Sequence, residues 1–526
     1  MFSRRHFFAV ATGTGINLAL ARRAQAGDPP LDAALFPPLD NHDRLPWLGL
    51  ATSLYEEHDY TAQVEGILPP NLRGILYRNG PGLFDRGGLR KRCVLDGDGM
   101  VQAFRIGDGV IQYRNRFVRT EKFVEEETAG RYLYATWTTQ APGGRFANLF
   151  GRTIRNQAGV SVIRKHDRLY AFDESAEPYE LDPDTLDTIG LSRLGLAKGT
   201  ALYSAHSKTD GQTGEWLHFG LEYGRTITVH LTTFHPNGSL KSHRTVSLPR
   251  YAYIHDYFVS DRYLIFNVHP AEIAIFRFLL GSASLTGSMQ WRPEQGNLVL
   301  VIPRAGDATA IEFTTEATWM WHTLNAYEQG DEIIADFVGY DSPTHFLGND
   351  PLFFAIMAGR RGMSTPPGSV RRYIINVKGR SIRQEILAEG HYEFPIVNPR
   401  HACHAHRYGY VARGDSQSPF WSQVTRLDTQ TGKTDSYDFG GGVYCTEPIF
   451  APEPGYDYTK HASEEPGWLF TEGYDSRTGK SFLAILRADR LSDGPVAVAH
   501  LRHHVPLSFH GYWYGLEPAA TQNAKE

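Results

Sequence analysis

The sequence predicts an all-β fold of propeller type, and three observations carry the prediction. Short strand-like runs alternate with turns rich in Gly, Asn and Asp along almost the whole chain. Helical periodicity is thin. A five-residue turn pattern also recurs, first as Leu181-Asp182-Pro183-Asp184-Thr185 and again as Leu427-Asp428-Thr429-Gln430-Thr431, each time between two strands. Repeated turns between short strands are what blades around an axis require.

Val160–Phe172 reads as a strand, a Lys165-His166-Asp167 turn and a second strand. Thr226–Leu248 is a hairpin around Pro236-Asn237-Gly238; Tyr251–Val268 turns at Ser260-Asp261; Met320–Val338 turns at Gln329-Gly330-Asp331. Gly, Asn and Asp tolerate the left-handed backbone that tight connections use. Two apolar runs break the rhythm, Ala271–Leu280 and Leu352–Ala358, the second followed by Gly359, Arg360 and Arg361. Either suits a core. If exposed, with arginines in or beside them, they would form the mouth of an apolar cavity or a contact with a membrane surface. Residues 47–526 hold no low-complexity segment or interior linker, so they read as one domain.

The segment before that domain reads as a targeting signal. Ser3-Arg4-Arg5-His6-Phe7-Phe8 is followed by a mildly apolar stretch, Ala9 to Ala21, and by Ala24-Gln25-Ala26. A twin arginine, a short apolar region and an A-x-A cleavage site fit a Tat-type signal over residues 1–26, with a leader over 27–46. The expected location is therefore periplasmic, after folding and metal loading in the cytoplasm. Three cysteines, Cys93, Cys403 and Cys445, are too few for a disulfide framework, and the sequence names no pairing. A net charge of −5 without a basic stripe argues against nucleic acid as a partner. Aromatic residues, 12% of the chain, suffice to line an apolar cavity as well as a core. Oligomeric state is not legible.

Four histidines stand in strand or strand-end contexts far apart: Ala205-His206-Ser207, Ile254-His255-Asp256, Trp321-His322-Thr323 and Phe509-His510-Gly511. Ligands so dispersed share no helix or loop, and in an all-β chain they would meet where separate blades converge on the axis. Taken singly, each fits an ordinary structural histidine better. Two denser clusters are poorer candidates. His401-Ala402-Cys403-His404-Ala405-His406 leads directly into a strand start at Arg407-Tyr408, and His503-His504 precedes a Val505-Pro506 break.

With these residues in place the chain resembles the carotenoid cleavage oxygenase family. The resemblance rests on Glu65-Gly66-Ile67-Leu68-Pro69, Leu72-Arg73-Gly74, Arg78-Asn79-Gly80-Pro81 and Leu95-Asp96-Gly97-Asp98-Gly99-Met100-Val101, then the four histidine motifs in order, then Pro495-Val496-Ala497 and Val505-Pro506 ahead of His510. It implies a seven-bladed propeller with a helical and loop cap over the face where substrate enters. It implies iron(II) held by His206, His255, His322 and His510, with Glu174, Glu393 and Glu447 behind them. A carboxylate there takes the other ring N–H and fixes the tautomer. Four neutral imidazoles leave up to two cis positions on an octahedral ion, where iron(II) accepts O₂ and zinc offers no redox change. The implied reaction inserts O₂ across a carbon–carbon double bond of an apolar substrate and gives two carbonyl products.

Two positions depart from the family pattern, Ser207 after His206 and Arg502 after Leu501, and neither is a ligand. Stilbene cleavers of the family tend to carry a lysine just before the first glutamate, and Asp173 occupies that place. An ionised carboxylate only accepts hydrogen bonds and repels a phenolate. The expected substrate is thus a carotenoid or apocarotenoid, with a phenolic stilbene as the alternative. Peripheral membrane contact is a further expectation for so apolar a substrate.

Overall fold

The computed structural model describes residues 45–306, 309–348, 351–361, 367–415, 418–456 and 466–516. Residues 1–44, where the sequence predicts a signal and most of a leader, lie outside the described residues. Among the described residues the chain forms seven antiparallel sheets of four to six strands and two small two-stranded ribbons. The seven sheets are blades around one axis.

Local chemistry explains the turns. Asp182 Oδ1 accepts from the backbone N–H of Asp184 (2.9 Å) and Thr185 (2.7 Å), and Asp428 Oδ1 accepts from Gln430 (3.0 Å) and Thr431 (3.2 Å). Each Asp thus closes its own turn between the third and fourth strands of a blade. The hairpins fall where the turn residues put them: Ser161–Lys165 with Arg168–Phe172, Ile227–Phe234 with Leu240–Ser247, and Trp319–Gln329 with Glu332–Tyr340. Only the stretch after Tyr251 differs. It stays without strand pairing until Phe258, and it carries His255 to the axis.

Both chain ends close the ring. Gln63–Gly66 pairs with Pro495–His500 at the outer edge of the last blade. His510–Gly515 pairs with Gly74–Leu83 at the inner edge of the first. Gly80 is required at this seam, because a Cβ there would lie 2.6 Å from Ser508 Cα. The core is divided among wedges between neighbouring blades, such as Leu76, Phe104 and Ile111 against Phe470, Leu483 and Ile485. Burying each such side chain contributes about 1.5–3 kcal/mol.

Loops between and within blades build a cap over one face. It includes residues 118–160, 269–296, 341–348 and 351–361, with helices Glu121–Ala129, Gly144–Ala147, Ile275–Leu279 and Leu352–Met357. The two apolar runs differ in fate. Leu352, Ala355, Ile356 and Met357 are buried, so that run is core and cavity wall. In the other, Phe278 and Leu279 are buried while Phe276 and Leu280 are exposed. All three cysteines are buried and unpaired.

Candidate active site

Each of the four histidines sits on or just before the inner edge strand of a different blade. His206 precedes Ser207–Thr209, His255 precedes Phe258–Val259, His322 lies within Trp319–Gln329, and His510 opens His510–Gly515. Their ligating atoms all lie within 4.8 Å of one another. His255 Nε2 is 2.9 Å from His206 Nε2 and 3.3 Å from His322 Nε2, so these nitrogens face a common point. The backbone is bent to achieve this. Pairing slips between Met320 and Thr323, where Trp321 and His322 sit, and again between Glu393 and Ile396. Such bulges re-aim side chains. Phe394, inside the second bulge, has φ 53°; its N–H donates to Glu393 Oε2 (2.5 Å) and its ring stacks on His322 at 5.3 Å. A left-handed non-glycine residue of this kind is backbone strain held at a site.

The back nitrogens meet carboxylates. His255 Nδ1 lies 2.6 Å from Glu174 Oε1, His322 Nδ1 2.5 Å from Glu393 Oε2, and His510 Nδ1 2.8 Å from Glu447 Oε1. This settles a pairing the sequence left open. His206 differs: its Nδ1 is 4.0 Å from Asp256 Oδ1, beyond hydrogen-bonding reach. Asp256 is engaged by Lys208 Nζ (2.8 Å) and by the backbone N–H of Thr323 (2.8 Å).

Sequence reasoning missed this outer layer. Tyr340 O–H donates to Glu393 Oε1 (3.0 Å), and Tyr253 O–H lies 3.1 Å from His255 Nδ1. Arg78 is fully buried, lies 3.6 Å from Glu447 Oε2 and donates to the Glu447 carbonyl (2.9 Å). The Arg78-Asn79-Gly80-Pro81 motif was visible, but nothing local tied it to Glu447, 369 positions away. The denser histidine cluster goes elsewhere: His404 Nε2 is 2.9 Å from Asp210 Oδ1, and His406 sits beside Asn325. His503 stacks on His58 at 4.0 Å.

Burial keeps His206 and His510 well below the usual imidazole range, reinforced by the neighbouring rings, so both are neutral. Burial also opposes charge on His255, but Glu174 outweighs it and the net shift is upward. Glu393 is held below its ordinary value, since His322 and its hydrogen bonds outweigh burial. Glu447 is pushed up to about 7 by burial, against the pull of Arg78. Four converging imidazole nitrogens, three of them on rings whose back nitrogens are anchored by carboxylates, are a donor set that suits a first-row transition metal.

Above the cluster the cap encloses a cavity of about 1090 Å³, its open mouth included. Its wall is mostly apolar, with Trp137, Trp321, Phe346, Phe353, Phe394 and Trp421 prominent, and His255, His322 and His510 form its floor. Asp173 lines it, and among the described residues no lysine does. Burial pushes Asp173 up to about 6, against hydrogen bonds from the N–H groups of Gln157 and Glu174.

Fold and site together define a seven-bladed propeller with a four-histidine cluster that could hold a metal on its axis, beneath an apolar cavity. The chain belongs to the carotenoid cleavage oxygenase family: the family described as Retinal pigment epithelial membrane protein matches residues 51–515. The apocarotenoid-15,15'-oxygenase of Synechocystis sp. is 31% identical over 89% of this chain and 96% of its own length. The lignostilbene-alpha,beta-dioxygenase isozyme III of Sphingomonas paucimobilis is 27% identical over 86% of this chain and 93% of its own. The crystal structure of cobalt-substituted Synechocystis apocarotenoid oxygenase superposes with TM-score 0.84 at 30% identity, covering 90% of this chain and 99% of that one.

Proposed function

We propose that this protein is a non-haem iron(II) dioxygenase that cleaves a carbon–carbon double bond of a carotenoid or apocarotenoid with O₂, giving two carbonyl products. The observation that carries this reading is the four-imidazole cluster at the floor of an apolar cavity that, among the described residues, no lysine lines. The 31% identity to an apocarotenoid-15,15'-oxygenase supports it. A ferrous ion bound by His206, His255, His322 and His510 would supply open positions at which O₂ and the alkene meet.

The chain's own residues do the rest. Burial keeps the His206 and His510 rings unprotonated and so able to ligate. Glu174, Glu393 and Glu447 lock the other three rings with their Nδ1–H turned away from the cavity. Their charges also offset that of a cation whose ligands are all neutral. The aromatic wall excludes water and holds a polyene flat by contact. A phenolic stilbene fits less well: Asp173 stands at the wall and would repel a phenolate.

The test is competition. Iron-loaded protein under O₂ receives an apocarotenal and a 4-hydroxystilbene, and aldehydes are identified by mass. Polyene fragments are expected; benzaldehyde-type products with the polyene untouched would overturn the substrate. Replacing any of His206, His255, His322 or His510 by Ala should abolish iron retention and turnover, whereas His404→Ala should leave iron content unchanged. Full activity in one of the four removes that ligand from the set.

The proposal extends to location. The Arg4-Arg5 pair and Ala24-Gln25-Ala26 support Tat export of the folded protein to the periplasm. Changing Arg4 and Arg5 to Lys should retain the protein in the cytoplasm; unchanged export would refute the Tat route.

A further inference from the structure

The four histidines stand between two cavities. Tyr253, Trp321 and Phe509, which come just before His255, His322 and His510, line the apolar cavity under the cap. Ser207, Asp256, Thr323 and Gly511, which come just after the four histidines, line a second cavity of about 1170 Å³, its open mouth included. Among the described residues no part of the cap lines it. It follows the inner edge strands Ser207–Thr209, Trp319–Gln329 and His510–Gly515 away from the cap. His322 and His510 border both cavities. Among the described residues His255 lines only the upper one and His206 only the lower one. The imidazole cluster is thus the partition between them.

The two sides differ in what can cross them. The upper wall is mostly apolar, whereas Lys208, Asp256, Thr323 and Asn325 line the lower cavity. Ser207, at which the chain departs from the family pattern, adds a hydroxyl there. Asp256 is 1% exposed and stands 4.0 Å from His206 Nδ1. Lys208 Nζ is 2.8 Å from Asp256 Oδ1 and donates to Thr323 Oγ1 (2.8 Å). The Lys208 side chain is 23% exposed, so this polar row runs from solvent to the cluster. A divalent cation loses far more on entering a dry apolar passage than on exchanging its waters for carboxylate and hydroxyl oxygens. Among the described residues Lys208 is the one lysine or arginine in the lining, and its ammonium sets a like-charge barrier to a cation.

Resting on the reading of the four histidines as a metal centre, we infer that the lower cavity is the route by which a hydrated divalent cation enters and leaves that centre, with the Lys208–Asp256 pair as its gate. Metal then exchanges on the face opposite the substrate. A polyene lying in the cap cavity does not bar it.

The test follows bound iron, not turnover, in the full-length protein under nitrogen. Val397 is half-buried and lines the lower cavity, so Val397→Cys offers a thiol there. The native cysteines are buried, and burial pushes the thiol of Cys403, which lines the same cavity, up to about 12. A bulky maleimide on the new thiol should slow two rates several-fold, the loss of iron to an external chelator and the uptake of Fe²⁺ by stripped protein. The references are the unlabelled variant and wild type treated with the reagent. Lys208→Gln keeps a donor for Asp256 but removes the charge, and should speed uptake about tenfold. An apocarotenal bound in the cap cavity, followed by tryptophan quenching, should leave both rates unchanged. Uptake slowed by the polyene and untouched by the maleimide would put the route through the cap and overturn the inference. So would a thiol at position 397 that the reagent cannot reach, or wild-type uptake in Lys208→Gln. Wild type that retains no iron faults the metal centre, and the inference with it. Iron exchange as expected without cleavage of the polyene faults only the proposed reaction, and the route stands.

Discussion

Glu174, Glu393 and Glu447 each face a histidine Nδ1 from unequal surroundings. Glu393 is held by Tyr340 and by the Phe394 N–H, and Glu447 by Arg78 and the Gly511 N–H, whereas Glu174 Oε2 is buried without a partner. Replacing any of the three by Gln should weaken metal affinity or turnover by about 10–100-fold. Metal content after dialysis against a mild chelator measures this, and wild-type retention in all three variants would exclude the role. Arg78→Met should act at a distance. It strands the buried Glu447 and Glu472 carboxylates, both within 3.7 Å of the guanidinium. The expected cost is about 3–5 kcal/mol of stability, read by denaturant unfolding, together with looser metal at His510.

At the scale of elements, the helix Glu121–Ala129 is pinned to the first blade by charge in a dry setting. Lys122 lies between Asp98 and Glu126, with Nζ 2.8 Å from Glu126 Oε2, and all three side chains are buried. Burial raises the Asp98 pKa, but Lys122 and Arg86 outweigh it, so the folded value lies below the unfolded one near 3.8. Its stabilisation is therefore complete above that unfolded value and lost as pH falls through the folded one. Lys122 is raised, against burial, by Asp98 and Glu126, so its share is complete below its unfolded value near 10.5 and lost as pH rises through the folded one. Asp98→Asn should cost about 3–5 kcal/mol near neutral pH. The gap between variant and wild type should close below the unfolded carboxylate value, and a gap constant down to pH 2 would contradict the linkage. Blade hairpins were legible because Asn, Asp and Gly write their turns locally. The bulges at Trp321–His322 and Phe394 were not, because slippage in pairing is decided by what must reach the axis. The four histidines were legible through their motifs and the family resemblance. Arg78, Tyr340 and Asp256 gained meaning only when distant strands were brought together.

For the whole molecule, one side of the cap offers a greasy surface. Phe146, Phe150, Phe276 and Leu280 are exposed at 79%, 54%, 63% and 46%. They share one patch: Arg145 Nε donates to the Leu280 carbonyl, and Phe278 packs on Gly151. Arg145, Arg152 and Arg277 lie in the same two segments. Such a patch suits shallow contact with an anionic bilayer holding the substrate. Phe150→Glu with Phe276→Glu should cut co-sedimentation with anionic vesicles about tenfold or more, while cleavage of detergent-solubilised substrate stays within about twofold. Equal sedimentation of variant and wild type would remove the membrane from the account.

Asn79 is matched in register with His510. The first blade is therefore completed by a strand that follows all the others among the described residues, and the fourth imidazole arrives on that strand. Three of the rings precede that strand, and the set of four is complete only with it. A metal held by all four rings would therefore bind tightly only after ring closure, and its retention would report a finished fold. In refolding, metal uptake should lag the recovery of strand signal, and tight uptake ahead of it would show that three rings suffice.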